Sequence, residues 1–205
     1  MLLYVLLQGQ PSEGALQPPA HLSHEALSVM HNGQVLSLSY SQDGKLLGVA
    51  AEHDEHVSVV APDTLVEIDK YRHSGIWHLR FAQGVHALAL CGTDDISVWD
   101  VDRRLVSLLP TRREHGMETA YECPVFGADR KLLVASKGGA NGRPLISEWD
   151  IDARRQMRTF EEHASPIMSM DVTPDGACMV SADLSGNVVL WDLVTGIVRQ
   201  RLTAR

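Results

Sequence analysis

Three side chains near the C-terminus have the types a nucleophilic triad needs: His163, Ser181 and Asp183. In such a triad a hydroxyl attacks, an imidazole takes its proton and a carboxylate orients the ring. No G-x-S-x-G elbow surrounds Ser181 to hold its hydroxyl out at a sharp turn, so a structural role is expected for all three. The densest ligand-type cluster is Glu52-His53-Asp54-Glu55-His56. Its H-x-x-H spacing suits a metal only if a hairpin folds both rings inward, and no second pair supports it. A solvated acidic hairpin tip is expected there instead. The stretch Lys137-Gly138-Gly139-Ala140-Asn141-Gly142-Arg143-Pro144 is glycine-rich, but no G-K-[ST] follows a strand, so it reads as a loop and not as a phosphate cradle. Cys91, Cys123 and Cys178 form no C-x-x-C pair and sit in or beside apolar runs, as reduced core cysteines do. Neither a metal nor a cofactor is expected.

Composition narrows the classes of partner. Among 205 residues, 18 are basic and 26 acidic, a net charge of −8. Phosphate contacts need clustered Lys and Arg, so nucleic acid is excluded as a non-specific partner. The apolar start, Met1 to Leu7, lacks a basic flank and is far too short to span a bilayer. It reads as a strand remnant, and no membrane partner is expected. Residues 1–23 are taken as that remnant and a loop, and 24–205 as one repeating unit. Sparse unpaired cysteines point to the cytoplasm or nucleus.

The repeat comes from two residue types. Trp-Asp pairs stand at Trp99-Asp100, Trp149-Asp150 and Trp191-Asp192, with Val60 in the Trp place of a weaker upstream copy. Histidines precede the copies at His31, His73, His115 and His163. Both series recur at about 40–50 residues, and each period holds four short alternating strands separated by turns such as Ser41-Gln42-Asp43-Gly44 and Thr173-Pro174-Asp175-Gly176. The expected fold is all-β: a β-propeller of four-stranded antiparallel blades at 34–72, 76–110, 118–161 and 166–203. Ala26 to Met30 would supply part of an N-terminal blade. About four full blades leave an incomplete ring.

With these pairs, histidines and turns, the chain resembles the WD-repeat β-propellers over about residues 24–203. The family's Gly-His dipeptide is not kept, since Met30, Arg72, Glu114 and Glu162 precede the histidines. The resemblance implies a buried network joining a loop His, an inner-strand Ser or Thr, a turn Asp and the Trp indole. Here His163, Ser181 and Trp191 fill three of those places, with His73 and Trp99, and His115 and Trp149, in the sister copies. Counted back from Trp191, the turn Asp place falls on Ser185, unless Asp183 substitutes; in the second copy it falls on Thr93, beside Asp94.

The resemblance also implies a non-catalytic scaffold that binds a protein or peptide. Its contact rim would carry Glu52, His53, Asp54, Glu55, Asp94, Asp95, Lys137, Asn141 and Arg143, and its acidity would favour a basic segment on the partner. Trp77 reads either as core or as an anchor at the channel mouth. Self-association that covers open blade faces is a further expectation, as is membership of a longer propeller. The alternative from another class is an enzyme or small-ligand protein with a site on the axis, where only His78, Glu122 and Asp171 are candidates to converge.

Overall fold

The computed structural model describes residues 34–52, 54–73, 75–93, 95–111, 120–136 and 142–203. The N-terminal remnant, the partial blade at Ala26 to Met30, and His31 lie outside the described residues. Sixteen strands form four antiparallel sheets, each a meander in which strand order follows the chain. Blade 1 holds β1 (Val35–Tyr40), β2 (Leu47–Ala51), β3 (His56–Val60) and β4 (Glu67–Arg72). Blade 2 holds β5 (Ile76–Phe81), β6 (Ala87–Gly92), β7 (Ile96–Asp100) and β8 (Leu105–Leu109). Blade 3 holds β9 (Tyr121–Phe126), β10 (Lys131–Ser136), β11 (Leu145–Asp150) and β12 (Arg155–Phe160). Blade 4 holds β13 (Ile167–Val172), β14 (Cys178–Asp183), β15 (Asn187–Asp192) and β16 (Val198–Thr203). These are WD-type propeller blades. No helix among the described residues is long and apolar enough to cross a membrane.

The first strands β1, β5, β9 and β13 touch in that order and define the axis. The core is not one cluster: three lie at the blade interfaces, and a fourth, small one lies within blade 1. Trp99 packs with Leu46, Ala50 and Val57 of blade 1. Trp149 packs with Ala89, Cys91 and Val98 of blade 2. Trp191 packs with Leu133, Ala135 and Ile146 of blade 3. Each tryptophan therefore faces the preceding blade. This explains why the middle strands of inner blades are apolar without alternation. In β6, Ala87 to Gly92 is buried at every position, because each face has a blade against it. The outermost strands, such as Glu-Ile-Asp-Lys-Tyr-Arg in β4, meet solvent and alternate.

Two local devices set the strand order. The Asp of each Trp-Asp pair caps the next turn: Asp100 accepts from the Arg103 amide at 3.0 Å, Asp150 from Ala153 at 2.8 Å, and Asp192 from Thr195 at 2.8 Å. Each such turn ends in a left-handed residue, at Arg104 (φ 54), Arg154 (φ 50) and Gly196 (φ 78), so the cap offsets strain that only the last copy avoids with glycine. The second device is a bulge near the start of each first strand. The pairing slips between Val35 and Ser37, between Ile76 and His78, and between Ile167 and Ser169. Leu36, Trp77 and Met168 are the extra residues, and all three are exposed, Trp77 at 47%. Trp77 is therefore not core.

The Thr173–Gly176 turn is held tighter than its sister at Ser41–Gly44. Both have a hydroxyl-to-Asp bond, 2.6 Å for Thr173 to Asp175 and 2.7 Å for Ser41 to Asp43. Both end in left-handed glycines, but a β-carbon on Gly44 would meet nothing, while one on Gly176 would overlap Ala128 of blade 3. Gly44→Ala is expected to cost about 1 kcal/mol from backbone strain alone, and Gly176→Ala clearly more. Urea midpoints of the two variants check the ranking; equal midpoints would contradict the close blade 3–blade 4 contact.

Candidate functional site

The C-terminal blade brings the triad-type residues together. His163, in the loop before β13, places Nδ1 2.8 Å from Asp183 Oδ2 and Nε2 2.7 Å from Ser181 Oγ. The Trp191 indole N–H, reaching across from β15, donates to the same Ser181 oxygen at 2.8 Å. One donor pattern fills every bond: Nδ1–H donates to Asp183, the Ser181 hydroxyl donates to Nε2, and the indole donates to Oγ. Asp183 also gathers the β14–β15 turn, accepting from the amides of Ser185 and Asn187, each at 3.0 Å. Burial pushes the Asp183 carboxyl up, but the bonds from His163 and Asn187 outweigh it and hold the group below its ordinary range.

The distances are those of a Ser-His-Asp triad, yet the chemistry is closed. Ser181 is 1% exposed and its oxygen already takes an indole proton. A nucleophile needs a path for substrate, and this one has none. The arrangement serves packing: four buried polar groups satisfy one another and fix the loop, the sheet and the tryptophan.

The turn member is Asp183 and not Ser185, whose backbone amide is instead one of the donors to that carboxylate. Counting back from the tryptophan misses it because turn lengths differ between blades. In blade 2, Thr93 forms an isolated bridge to Ala120, and the acidic partner of His73 is Asp95, 3.1 Å from Nε2. That contact lies outside hydrogen-bond geometry, and Asp95 Oδ1 and Ser97 Oγ are buried without a hydrogen-bond partner. Trp99 and His73 each meet the Tyr71 ring in a tilted contact, at 5.9 and 5.8 Å between centroids. In blade 3 the indole of Trp149 finds Ser147 of its own strand at 2.8 Å. Its histidine, His115, lies outside the described residues, as do His53, Asp94, Lys137 and Asn141.

Topology places the β2–β3, β6–β7, β10–β11 and β14–β15 turns on one rim with the histidine loops. Glu52, Glu55 and Arg143 are exposed there, and Asp54 and Asp95 are half-buried. Glu55 pairs with Arg72 at 3.0 Å, and Glu162 with Arg201 at 2.5 Å. On the axis, a cleft of about 760 Å³ is lined by Ser37, His78, Arg80, Cys123 and Asp171 among others. Arg80 and Asp171 meet across it at 3.2 Å. Glu122 is buried and does not line this cleft, so the three axial candidates do not converge. Among the described residues no group of three His, Cys, Asp or Glu is placed to hold a metal.

Sequence comparison agrees with this geometry. The family model "WD domain, G-beta repeat" matches residues 154–192, the stretch that spans Ser181, Asp183 and Trp191. The chain is a WD-repeat protein. It is 26% identical over 85% of its length to transcription initiation factor TFIID subunit 5 of Caenorhabditis elegans, and covers 25% of that protein. It is 28% identical over 82% of its length to human DDB1- and CUL4-associated factor 10, covering 30% of it. It is 27% identical over 67% of its length to a chromatin assembly factor 1 subunit FAS2 homolog of Oryza sativa subsp. japonica, covering 29% of it. The WD-repeat chain thus spans about a quarter to a third of the relatives it matches.

Two features of this WD-repeat chain carry no sequence signal in the repeat. Glu148 takes the face of β11 turned toward blade 4, where the matching residues of blades 2 and 4 are Val98 and Leu190. It is buried, and Arg158 neutralises it through Nε at 2.5 Å while its Nη2 donates to the Leu193 carbonyl of blade 4. On the opposite rim, His86 bridges Asp102 at 2.9 Å and Asp43 of blade 1 at 3.3 Å. The hydrogen bond to Asp102 raises the His86 pKa most, burial opposes it, and the bond to Asp43 adds to the rise.

Two outcomes are expected. Ser181→Ala leaves the Trp191 indole and one His163 nitrogen unpaired in the core and should cost about 2–4 kcal/mol, since each buried orphan costs about 1–3. Hydrogen exchange should rise across β13 to β16 before other blades; a uniform rise would argue against a blade-local network. For His86 the folded pKa is raised, so its contribution is full below about pH 6.5 and is lost as pH climbs through the folded value. His86→Gln should flatten thermal stability over that upper window, and an unchanged pH profile would contradict the bridge.

Proposed function

We propose that this WD-repeat protein is a non-catalytic scaffold that holds a protein or peptide partner on the rim bearing its histidine loops and β2–β3-type turns. The observation that carries the reading is the buried His163–Asp183–Ser181–Trp191 network. It uses reactive side-chain types to stiffen a blade, which makes a rigid base for loops. The relatives support it: two are named as subunits of larger factors and the third as an associated factor. By the same reading the protein works in the nucleus or cytoplasm, residues 24–205 act as one propeller unit, and these blades belong with further ones in a complete ring.

The rim's charge selects the partner. Glu52, Asp54, Glu55, Asp95, Glu161 and Glu162 lie in the loops and turns of that rim, where Glu55 pairs with Arg72 and Glu162 with Arg201. A basic segment complements that field, with Trp77 as an apolar anchor beside it. His53, Asp94, Lys137 and Asn141 belong to the same proposed contact set by their place in the chain.

Charge reversal at Glu52, Asp54 and Glu55 should weaken binding of a Lys/Arg-rich peptide about tenfold or more in fluorescence anisotropy, with the largest loss at low salt. Reversal of Asp102 and Asp152, which sit in turns of the opposite rim, should leave it unchanged. Equal losses from both sets would move the binding face off this rim.

A further inference from the structure

The two end faces of the blade stack repeat the halves of an interface that the chain already makes inside itself. At the first internal interface, β1 is stitched to β5 along the axis. Leu79 N–H donates to Ser37 Oγ at 3.1 Å, and Phe81 N–H donates to Ser39 Oγ at 3.0 Å. The side chains of Leu79 and Phe81 are only 4% and 5% exposed, because they pack against blade 1. Two hydroxyls thus satisfy an edge strand whose donors would otherwise face the cleft.

Pairing registers locate the same positions at both ends. Leu38 stands opposite Val49 and Tyr40 opposite Leu47, as Leu79 stands opposite Leu90 and Phe81 opposite Leu88. Yet Leu38 and Tyr40 are 57% and 59% exposed. Farther out on that face Leu47, Val49 and Val60 are buried in a cluster of their own, so the open part is β1 itself. At the other end, Ser169 and Asp171 take the places of Ser37 and Ser39, opposite Ala182 and Val180. The apolar face beside them is open as well. Val180 is 38% exposed where its counterpart Ala89 is 0%, and Leu202 is 55% exposed where its counterpart Leu109 is 1%.

We infer that blade 4 of one copy receives strand β1 of a second copy. Leu38 and Tyr40 of the second copy pack against Val180, and their N–H groups donate to Ser169 Oγ and to Asp171. Asp171 Oδ1 already accepts from Arg80, so its other oxygen takes the new donor. The second copy is the occupant because the structure supplies both halves of the contact, in matching register, on one chain. The contact is heterologous, and the four described blades of two copies together give eight, within the propeller range of ~4–8. It does not depend on the rim reading above, since no rim turn takes part.

The test is oligomeric state by light scattering and sedimentation velocity. The wild type should give a species of twice 22.5 kDa. Tyr40→Asp and Asp171→Lys should each weaken association at least tenfold, because every contact then uses one damaged half. Mixing the two variants should restore a dimer, since one contact is then intact and the other pairs opposite charges. That restoration also shows that both variants are folded. A wild type that stays at 22.5 kDa at high concentration overturns the inference and leaves these faces to blades of a longer chain. Association that neither variant weakens overturns it too.

Discussion

A single four-stranded sheet of this kind cannot bury itself, and nearly every other feature follows from that. Both faces of an inner blade are apolar, so each needs a neighbouring blade on either side. The cost of lacking one can be read from matched residues. Phe81 is 5% exposed beneath blade 1, while Tyr40 in the same register is 59% exposed. Burying a large apolar side chain contributes about 1.5–3 kcal/mol, so a few such pairs decide whether a terminal blade stays attached. The three larger clusters of the core are therefore interfaces, and stability is a property of neighbours and not of any one sheet.

Polar groups within those interfaces are arranged for definition more than for stability. In blade 4 the network is complete, with His163, Asp183, Ser181 and Trp191 each partnered. In blade 3 the described residues show the indole-to-serine bond at Ser147. In blade 2 Trp99 and His73 make tilted ring contacts with Tyr71, His73 also meets Asp95, and Ser97 is left with an unpaired hydroxyl. An orphaned buried group costs about 1–3 kcal/mol, so blade 2 is held by its apolar contacts on both sides and tolerates the defect. Blade 4 has an open face and the complete network.

The repeat was legible because burial on both faces writes a strong pattern. The Trp-Asp pairs, the spaced histidines and the turns between short strands place the four blades to within a few residues of the observed sheets. What escaped detection was whatever depends on turn length or on a partner from another blade. The network aspartate lies eight residues before Trp191, whereas the acidic group of blade 2 lies four before Trp99, so one fixed offset finds neither. Glu148 reads as an error in a buried strand until Arg158 is seen beside it, and His86 reads as a loop residue until Asp43 arrives from blade 1. Trp77 reads first as core and only second as surface, because a bulge, which has no residue signature of its own, decides which way it points.

The same atoms that make a hydrolase elsewhere make a brace here, and the difference is accessibility. Ser181 and His163 stand at 2.7 Å and His163 and Asp183 at 2.8 Å, a spacing fit for proton transfer. Catalysis also needs an empty space about 3 Å from the nucleophile where a substrate atom sits. Trp191 occupies that space and spends the serine's acceptor capacity on its indole proton. Geometry among side chains therefore does not identify an active site until the fourth neighbour is known. In this fold the fourth neighbour is an aromatic ring packed against the preceding blade, so the three polar residues fix the His163 loop and the β14–β15 turn to the sheet.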